Sequence, residues 1–64
     1  MENNEIKLND KVVWNFVFDV PQENGVVVLF EGENVLVEYV GWNGKVYRDW
    51  MKLEEIELES KWVF

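Results

Sequence analysis

Short segments rich in β-branched and aromatic residues, several of them alternating between two faces, make up most of this 64-residue chain, as in β-strands. No segment shows the 3.6-residue period of a long helix, so we expect an all-β protein. The alternation predicts five strands, over 11–20, 26–31, 35–40, 45–52 and 57–63. Turns are expected where Pro, Gly and Asn interrupt the pattern, at 21–25, 32–34 and 43–44. Asn-Gly at 43–44 indicates a type I′ hairpin turn, since both residues tolerate a positive φ.

Two features indicate how these strands are arranged. The second strand contains an unbroken apolar run, 26–30, which suggests that both of its faces are covered in a closed or strongly curved sheet. Leu53 and Ile56, three residues apart, fit a single 3₁₀ turn before the last strand. The expected fold is a small five-stranded SH3-like barrel over 9–64. Ile6 and Leu8 also alternate, so 1–8 is expected to form an N-terminal strap or an edge strand.

The size of the chain limits its core. A domain of 64 residues buries only about 60% of the surface that its unfolded chain exposes. The chain has no Cys for a disulfide and no His, but it has four Trp, two Tyr and four Phe. Each aromatic side chain can bury roughly 150–250 Å², so a few of them could supply much of the core. The aromatic residues therefore have two interpretations, as core and cross-strand packing or as a binding surface.

Charge narrows the class of partner. Thirteen acidic and six basic residues give a net charge of −7. Direct binding to nucleic acid is disfavoured because it needs a footprint of Lys and Arg on the phosphates. A basic peptide or protein is favoured, although the charge could simply keep the protein soluble. The sequence contains no apolar run of ~20 residues and no secretory signal pattern, so we expect a cytoplasmic protein with no membrane partner.

The sequence offers little for catalysis. Cys and His are absent, and Ser60 is the single serine, so no nucleophile has a base beside it. We therefore expect a protein that is not an enzyme and that uses no cofactor and no metal. Four carboxylates near the C-terminus are expected to form a solvated acidic surface: Glu54, Glu55, Glu57 and Glu59.

Aromatic residues surround the Asn-Gly turn, and this stretch resembles the chromo-barrel and Tudor branch of SH3-like barrels. The motif that carries the resemblance is Tyr39-Val40-Gly41-Trp42-Asn43-Gly44, followed by Tyr47-Arg48-Asp49-Trp50-Met51. The resemblance implies an aromatic cage for methylated lysine at the rim of the barrel. The implied cage residues are Tyr39, Trp42 and Tyr47, with Trp14 from the first strand and a carboxylate from Glu38 or Asp49. It assigns Trp50 to packing.

These observations leave three functional hypotheses open. The first is a non-catalytic module that binds a basic peptide or protein through an aromatic rim with acidic neighbours. The second is a free-standing acidic inhibitor, of the phage or mobile-element type, that mimics nucleic-acid phosphates in the basic groove of a host enzyme. The third is a subunit of a β-rich homo-oligomer, because apolar edges near either terminus could pair between copies. The protein is thus expected to be a monomer or a small homo-oligomer.

Overall fold

Five antiparallel strands form one sheet in the computed structural model, which describes residues 6–62. The strands are β1 (Lys11–Val17), β2 (Val20–Glu31), β3 (Asn34–Val40), β4 (Val46–Lys52) and β5 (Glu57–Leu58). Their order in the sheet is β4-β3-β2-β1-β5. This confirms the predicted all-β fold with five strands. The sheet is open, because no pairing joins β4 to β5 within residues 6–62.

The 3₁₀ turns differ partly from the prediction. The turn before the last strand is present at Leu53–Glu55. A second 3₁₀ turn, Glu59–Trp62, follows β5 directly. The predicted 3₁₀ turn before the last strand is therefore confirmed, and the second turn was not predicted. The prediction of a strand over 57–63 was wrong, since only two of the described residues in that stretch pair with β1. Trp62 explains the change of structure: its ring packs on Phe16 at 5.4 Å, and its indole N–H donates to Glu57 at 3.1 Å.

The first hairpin lies in a different place from the predicted one. The chain reverses at Phe18 and Asp19, both of which have positive φ (52° and 64°). The stretch 21–25, predicted as a turn, is instead part of β2 and pairs with β1. Two residues of positive φ match the geometry of a type I′ loop, but Phe-Asp is not a sequence that signals one. Pro21 is tolerated in the strand because 20–25 pairs on one side only, as an edge strand does.

The hairpin between β3 and β4 is confirmed, but its predicted turn type was wrong. Val40 pairs with Val46, which leaves a five-residue loop rather than a two-residue one. The Gly41 N–H donates to the carbonyl of Lys45 at 2.7 Å, and the Gly44 N–H donates to the carbonyl of Gly41 at 3.0 Å. Of the two predicted turn residues, only Gly44 has a positive φ, of 82°. Five-residue hairpin loops built around an inner turn are a common alternative to type I′.

A bulge explains the unbroken apolar run of β2. The register with β3 shifts between Val27 and Leu29, so Val28 is an extra residue on β2. A bulge moves the residues beyond it to the opposite face of the strand. Val27 is fully buried, while Leu29 is 49% exposed. The run therefore does not require cover on both faces.

Valines form the centre of the core. Val12, Val27, Val35 and Val37 are fully buried, and Trp14 and Ile56 lie with them. Trp14 is the one aromatic residue among the described ones that counts as buried; Phe30 and Tyr39 pack at its edge. More aromatic surface is therefore accessible to solvent than if these rings formed the core. No helix in residues 6–62 is long and apolar enough to span a membrane.

The prediction for the N-terminal segment falls mainly on residues that lie outside the described part of the chain. Within it, Ile6 packs against the core, and the Asn9 N–H donates to the carbonyl of Val27 at 2.8 Å. The final residues, 63–64, also lie outside the described range.

Candidate functional site

Pairing across three strands places the predicted site residues on two different faces of the sheet. Residues that are directly opposite in an antiparallel pair share a face. Val37, which is buried, pairs with Asp49, and Tyr39 pairs with Tyr47 two residues further along. We call this the inner face. Glu38 pairs with Arg48 and therefore lies on the other, outer face.

Three aromatic rings form a row on the inner face. Trp14 of β1 contacts Tyr39 of β3 edge to face, with centroids 5.5 Å apart and planes at 73°. Tyr39 stacks on Tyr47 of β4, with centroids 5.9 Å apart and planes at 28°. We refer to these three residues as the aromatic row. Trp14 is nearly buried, so the accessible part of the row is the tyrosine pair.

Hydrogen bonds fix the position of both tyrosines. The Tyr39 hydroxyl donates to the Asp49 carboxylate, and the Asn43 side-chain amide donates to the Tyr47 hydroxyl at 2.8 Å. The Asn43 side chain is itself held in the loop, since its Oδ1 accepts the Lys45 N–H at 3.0 Å. Gly41 leaves room for the ring, because a Cβ there would lie 2.5 Å from Cε2 of Tyr47. The loop therefore holds the tyrosine pair in one orientation.

Two carboxylates act on Tyr39. The pKa of Tyr39 is raised to about 12, first by its hydrogen bond to Asp49, then by burial and by the negative charges of Asp49 and Glu23. An anionic phenolate would be repelled by both carboxylates, whereas a cation would be attracted to them. The same pair of charges thus favours a positively charged group beside the tyrosines.

A cleft of about 220 Å³ lies next to the tyrosine pair. Residues of β2 form one side, and the end of β3 with the loop after it forms the other. Its lining comprises Gln22, Glu23, Asn24, Tyr39, Val40, Gly41, Trp42 and Tyr47. Trp42 is completely exposed and makes no ring contact with another described residue. The rings of Tyr39, Tyr47 and Trp42 therefore border one cleft without forming a closed cage.

The predicted binding residues divide into three groups. Trp14, Tyr39, Tyr47 and Asp49 lie together on the inner face, and Trp42 lines the adjoining cleft. Glu38 lies on the outer face, where its carboxylate accepts the Arg48 Nε–H at 3.0 Å. Glu23 lies in the cleft but was not predicted, because its strand was interpreted as a turn. No local signal could have found it, because Pro21, Asn24 and Gly25 all favour a turn in this stretch.

The acidic residues near the C-terminus do not form a uniform surface. Glu54 is exposed, and Glu59 is partly covered. Glu55 accepts the backbone N–H of Lys52 at 3.2 Å, which closes the first 3₁₀ turn. Glu57 accepts the Trp62 indole and lies 3.6 Å from the Lys61 ammonium. Two of the four carboxylates therefore have partners within the fold. Among the described residues, no cluster of acidic side chains could hold a metal ion.

Trp50, which the resemblance assigns to packing, lies on the outer face of the sheet. It pairs with Leu36, and Leu36 pairs with Leu29, so the three side chains form an apolar row across the outer face. Trp50 is 50% exposed.

Comparison of the chain with protein-family models, with curated proteins and with solved structures gave no match.

Proposed function

We propose that this protein is a small, non-catalytic binding module that holds a cationic side chain of a basic peptide or protein surface. The observation that carries the proposal is the tyrosine pair of Tyr39 and Tyr47, which borders a cleft that also contains the Glu23 carboxylate. Asp49 lies on the same face and is bonded to Tyr39.

The chemistry of the cleft suits a cation. The faces of aromatic rings attract ammonium and guanidinium groups, by about 0.5–1 kcal/mol at exposed sites and more when water is excluded. Glu23, in the lining, and Asp49, bonded to the Tyr39 hydroxyl, add negative charge, and the lining includes no Lys or Arg among the described residues. A net charge of −7 extends the attraction over the whole molecule. Because Trp42 stands free beside the cleft, it can close over a bound side chain and complete the enclosure.

We further infer that the sheet is the SH3-like barrel of the chromo-barrel or Tudor type that the sequence resembles. Two features support this: β1 pairs with both β2 and β5, and a 3₁₀ turn precedes β5. Shared architecture alone would be a weak argument for a shared ligand. We therefore do not assume that methylated lysine is recognised, and the experiment below tests it.

The acidic-inhibitor hypothesis has less support. It depends on carboxylates that are free to replace phosphates, and Glu55 and Glu57 are engaged within the fold. Replacing Glu54, Glu55, Glu57 and Glu59 together by Gln separates the two functions. The replacement should leave binding of a short basic peptide within about threefold if the cleft is the site.

The test uses three capped peptides that differ only at a central residue, which is Lys, trimethyl-Lys or the uncharged norleucine. We expect the two cationic peptides to shift the NMR signals of the Trp42 indole and of the Tyr47 amide, and norleucine to bind at least tenfold more weakly. Glu23→Gln should weaken the cationic peptides by up to about fivefold, since an exposed ion pair contributes about 0.2–1 kcal/mol.

Glu31→Gln is the matched control, because it changes the net charge equally at an exposed residue on the outer face. Equal weakening by both variants would mean that only the overall charge attracts the peptide. Norleucine binding as well as Lys would also refute the proposal. Light scattering of the same samples gives the number of copies in the free and bound protein.

A further inference from the structure

Strand β2 is much longer than either of its neighbours, and its two halves have different partners. Its second half pairs with β3, beginning at Val26 opposite Glu38. Its first half, 20–25, pairs with β1 alone. The last residues of β3, Tyr39 and Val40, pair with β4 alone. The neighbouring strands β2 and β3 therefore separate at this end of the sheet.

A cleft lies on each face of the sheet where β2 and β3 separate. The cleft of about 220 Å³ described above opens on the inner face, beside Glu23 and Tyr47. A second cleft, of about 250 Å³, is lined by Val26, Glu38 and Val46, whose register places them on the outer face. Asn24, Tyr39 and Val40 line both clefts. The two clefts thus adjoin at these three residues, where β2 and β3 separate, and we call this region the split.

The split leaves one side of residues 20–25 without a neighbouring strand. Such an edge offers backbone donors and acceptors to another extended chain. Proteins that bind peptides by strand addition use an edge of this kind, with the backbone giving affinity and alternate side chains giving specificity. Glu38, in the outer lining, is already paired with Arg48 at 3.0 Å, whereas Glu23, in the inner lining, accepts only the neutral Asn15 amide and keeps its charge uncompensated. Neither lining includes a Lys or Arg among the described residues. Charge complementarity therefore selects a basic chain.

We propose that the split receives a basic segment of a partner protein in extended conformation, paired through its backbone with residues 20–25 of β2. A cationic side chain of that segment then lies on the inner face between Glu23 and the tyrosine pair. Side chains on either side of it point into the outer cleft, beside Val26 and Val46. This inference rests on the proposed function for the cation and adds the conformation and pairing of the chain that carries it.

Backbone methylation of a peptide tests the pairing separately from the cation. The probe is the capped peptide Thr-Val-Thr-Lys-Thr-Val-Thr, prepared unmodified, N-methylated at both Val residues, or N-methylated at the second and third Thr residues. Successive residues of a strand direct their N–H groups to opposite sides. We therefore expect one of the two modified peptides to bind at least tenfold more weakly. The amides of 20–25 should also exchange more slowly with solvent in the unmodified complex.

The possible failures are distinguishable. If the unmodified peptide binds, Glu23→Gln weakens it, and both methylated peptides bind as well as it does, then strand addition is wrong and the proposed function stands. If no Lys-containing peptide binds while norleucine peptides do, or if none binds, both proposals fall. A dimer in light scattering that already protects the amides of 20–25 without peptide would show that a second copy fills the split, and would overturn this inference.

Discussion

Substituting Gly25 by Ala tests the close approach of β2 to its neighbours at the corner where the site lies. A Cβ on this residue would lie 2.6 Å from the carbonyl oxygen of Glu38. It would also lie 2.8 Å from Cη2 of Trp14 and 2.8 Å from Cγ1 of Val37. Favourable contacts between carbon atoms are about 3.5–4.0 Å long. One of the three neighbours is backbone, and the other two are buried side chains, so none of them can move freely.

The cost follows from two opposing effects. Overfilling a packed site usually costs about 1–3 kcal/mol. Replacing Gly by Ala restricts the unfolded chain and returns about 0.4–1 kcal/mol, since Gly25 does not need a positive φ. We therefore expect the free energy of unfolding to fall by about 1–2 kcal/mol. In a domain of this size, 1 kcal/mol corresponds to about 4–8 °C. The melting temperature should thus fall by roughly 5–15 °C.

Thermal unfolding followed by circular dichroism measures this change, and urea denaturation gives the free energy directly. Asn24→Ala is the control, because it changes an exposed neighbour in the same strand and should stay within about 0.5 kcal/mol of the wild type. In a Trp14→Phe background, the ring atom that meets the new Cβ is gone. The Gly25→Ala penalty should then shrink by at least ~0.5 kcal/mol. A Gly25→Ala protein that melts within 2 °C of the wild type would refute the described packing.

Two further predictions concern the first hairpin and the aromatic row. Replacing Phe18 by Asn and Asp19 by Gly should raise the free energy of unfolding by about 1 kcal/mol, as measured by urea denaturation. The reason is that both positions have positive φ and Phe18 is 95% exposed. A loss of stability would mean that the Phe18 side chain makes a stabilising contact. Ultraviolet titration should show Tyr39 ionising near pH 12, and Asp49→Asn should lower its pKa toward 10. Since the folded pKa exceeds the unfolded value, the stabilisation by Tyr39 is complete below pH 10 and is lost as the pH rises through 12. An unchanged titration in Asp49→Asn would contradict the assigned cause.

The parts of the fold that could be predicted are those where local chemistry and pattern agree. The stretch from β3 to β4 is rich in β-branched and aromatic residues and is interrupted by Gly41 and Gly44, so both strands are located within a residue of their true bounds. The spacing of three between Leu53 and Ile56 predicted the 3₁₀ turn in the same way, and in the structure this turn places Ile56 in the core. At these places the tertiary structure only reinforces a local preference.

The first hairpin could not be predicted, because tertiary pairing overrides the local signal there. The stretch 21–25 contains Pro, Asn and Gly, which favour a turn, whereas Phe18 and Asp19 give almost no turn signal. Pairing with β1 holds the stretch extended, and the strain of two positive φ values is concentrated in the loop. The misplaced turn moved Glu23 out of the predicted strands. The sequence therefore gave no reason to place this carboxylate beside the tyrosines.

The same departure from the local pattern produces the proposed site. Had the chain turned at 21–25, β2 would begin at Val26, where its pairing with β3 begins, and no free edge would face Tyr39. Because the chain turns earlier, β2 extends six residues beyond that point, from Val20 to Gly25, with one neighbour only. The extension both places Glu23 beside the tyrosine pair and leaves β2 and β3 apart at the split. Moving or destabilising the Phe18-Asp19 loop should therefore affect binding of a basic chain more than it affects the core, because the buried valines Val27, Val35 and Val37 lie beyond the split.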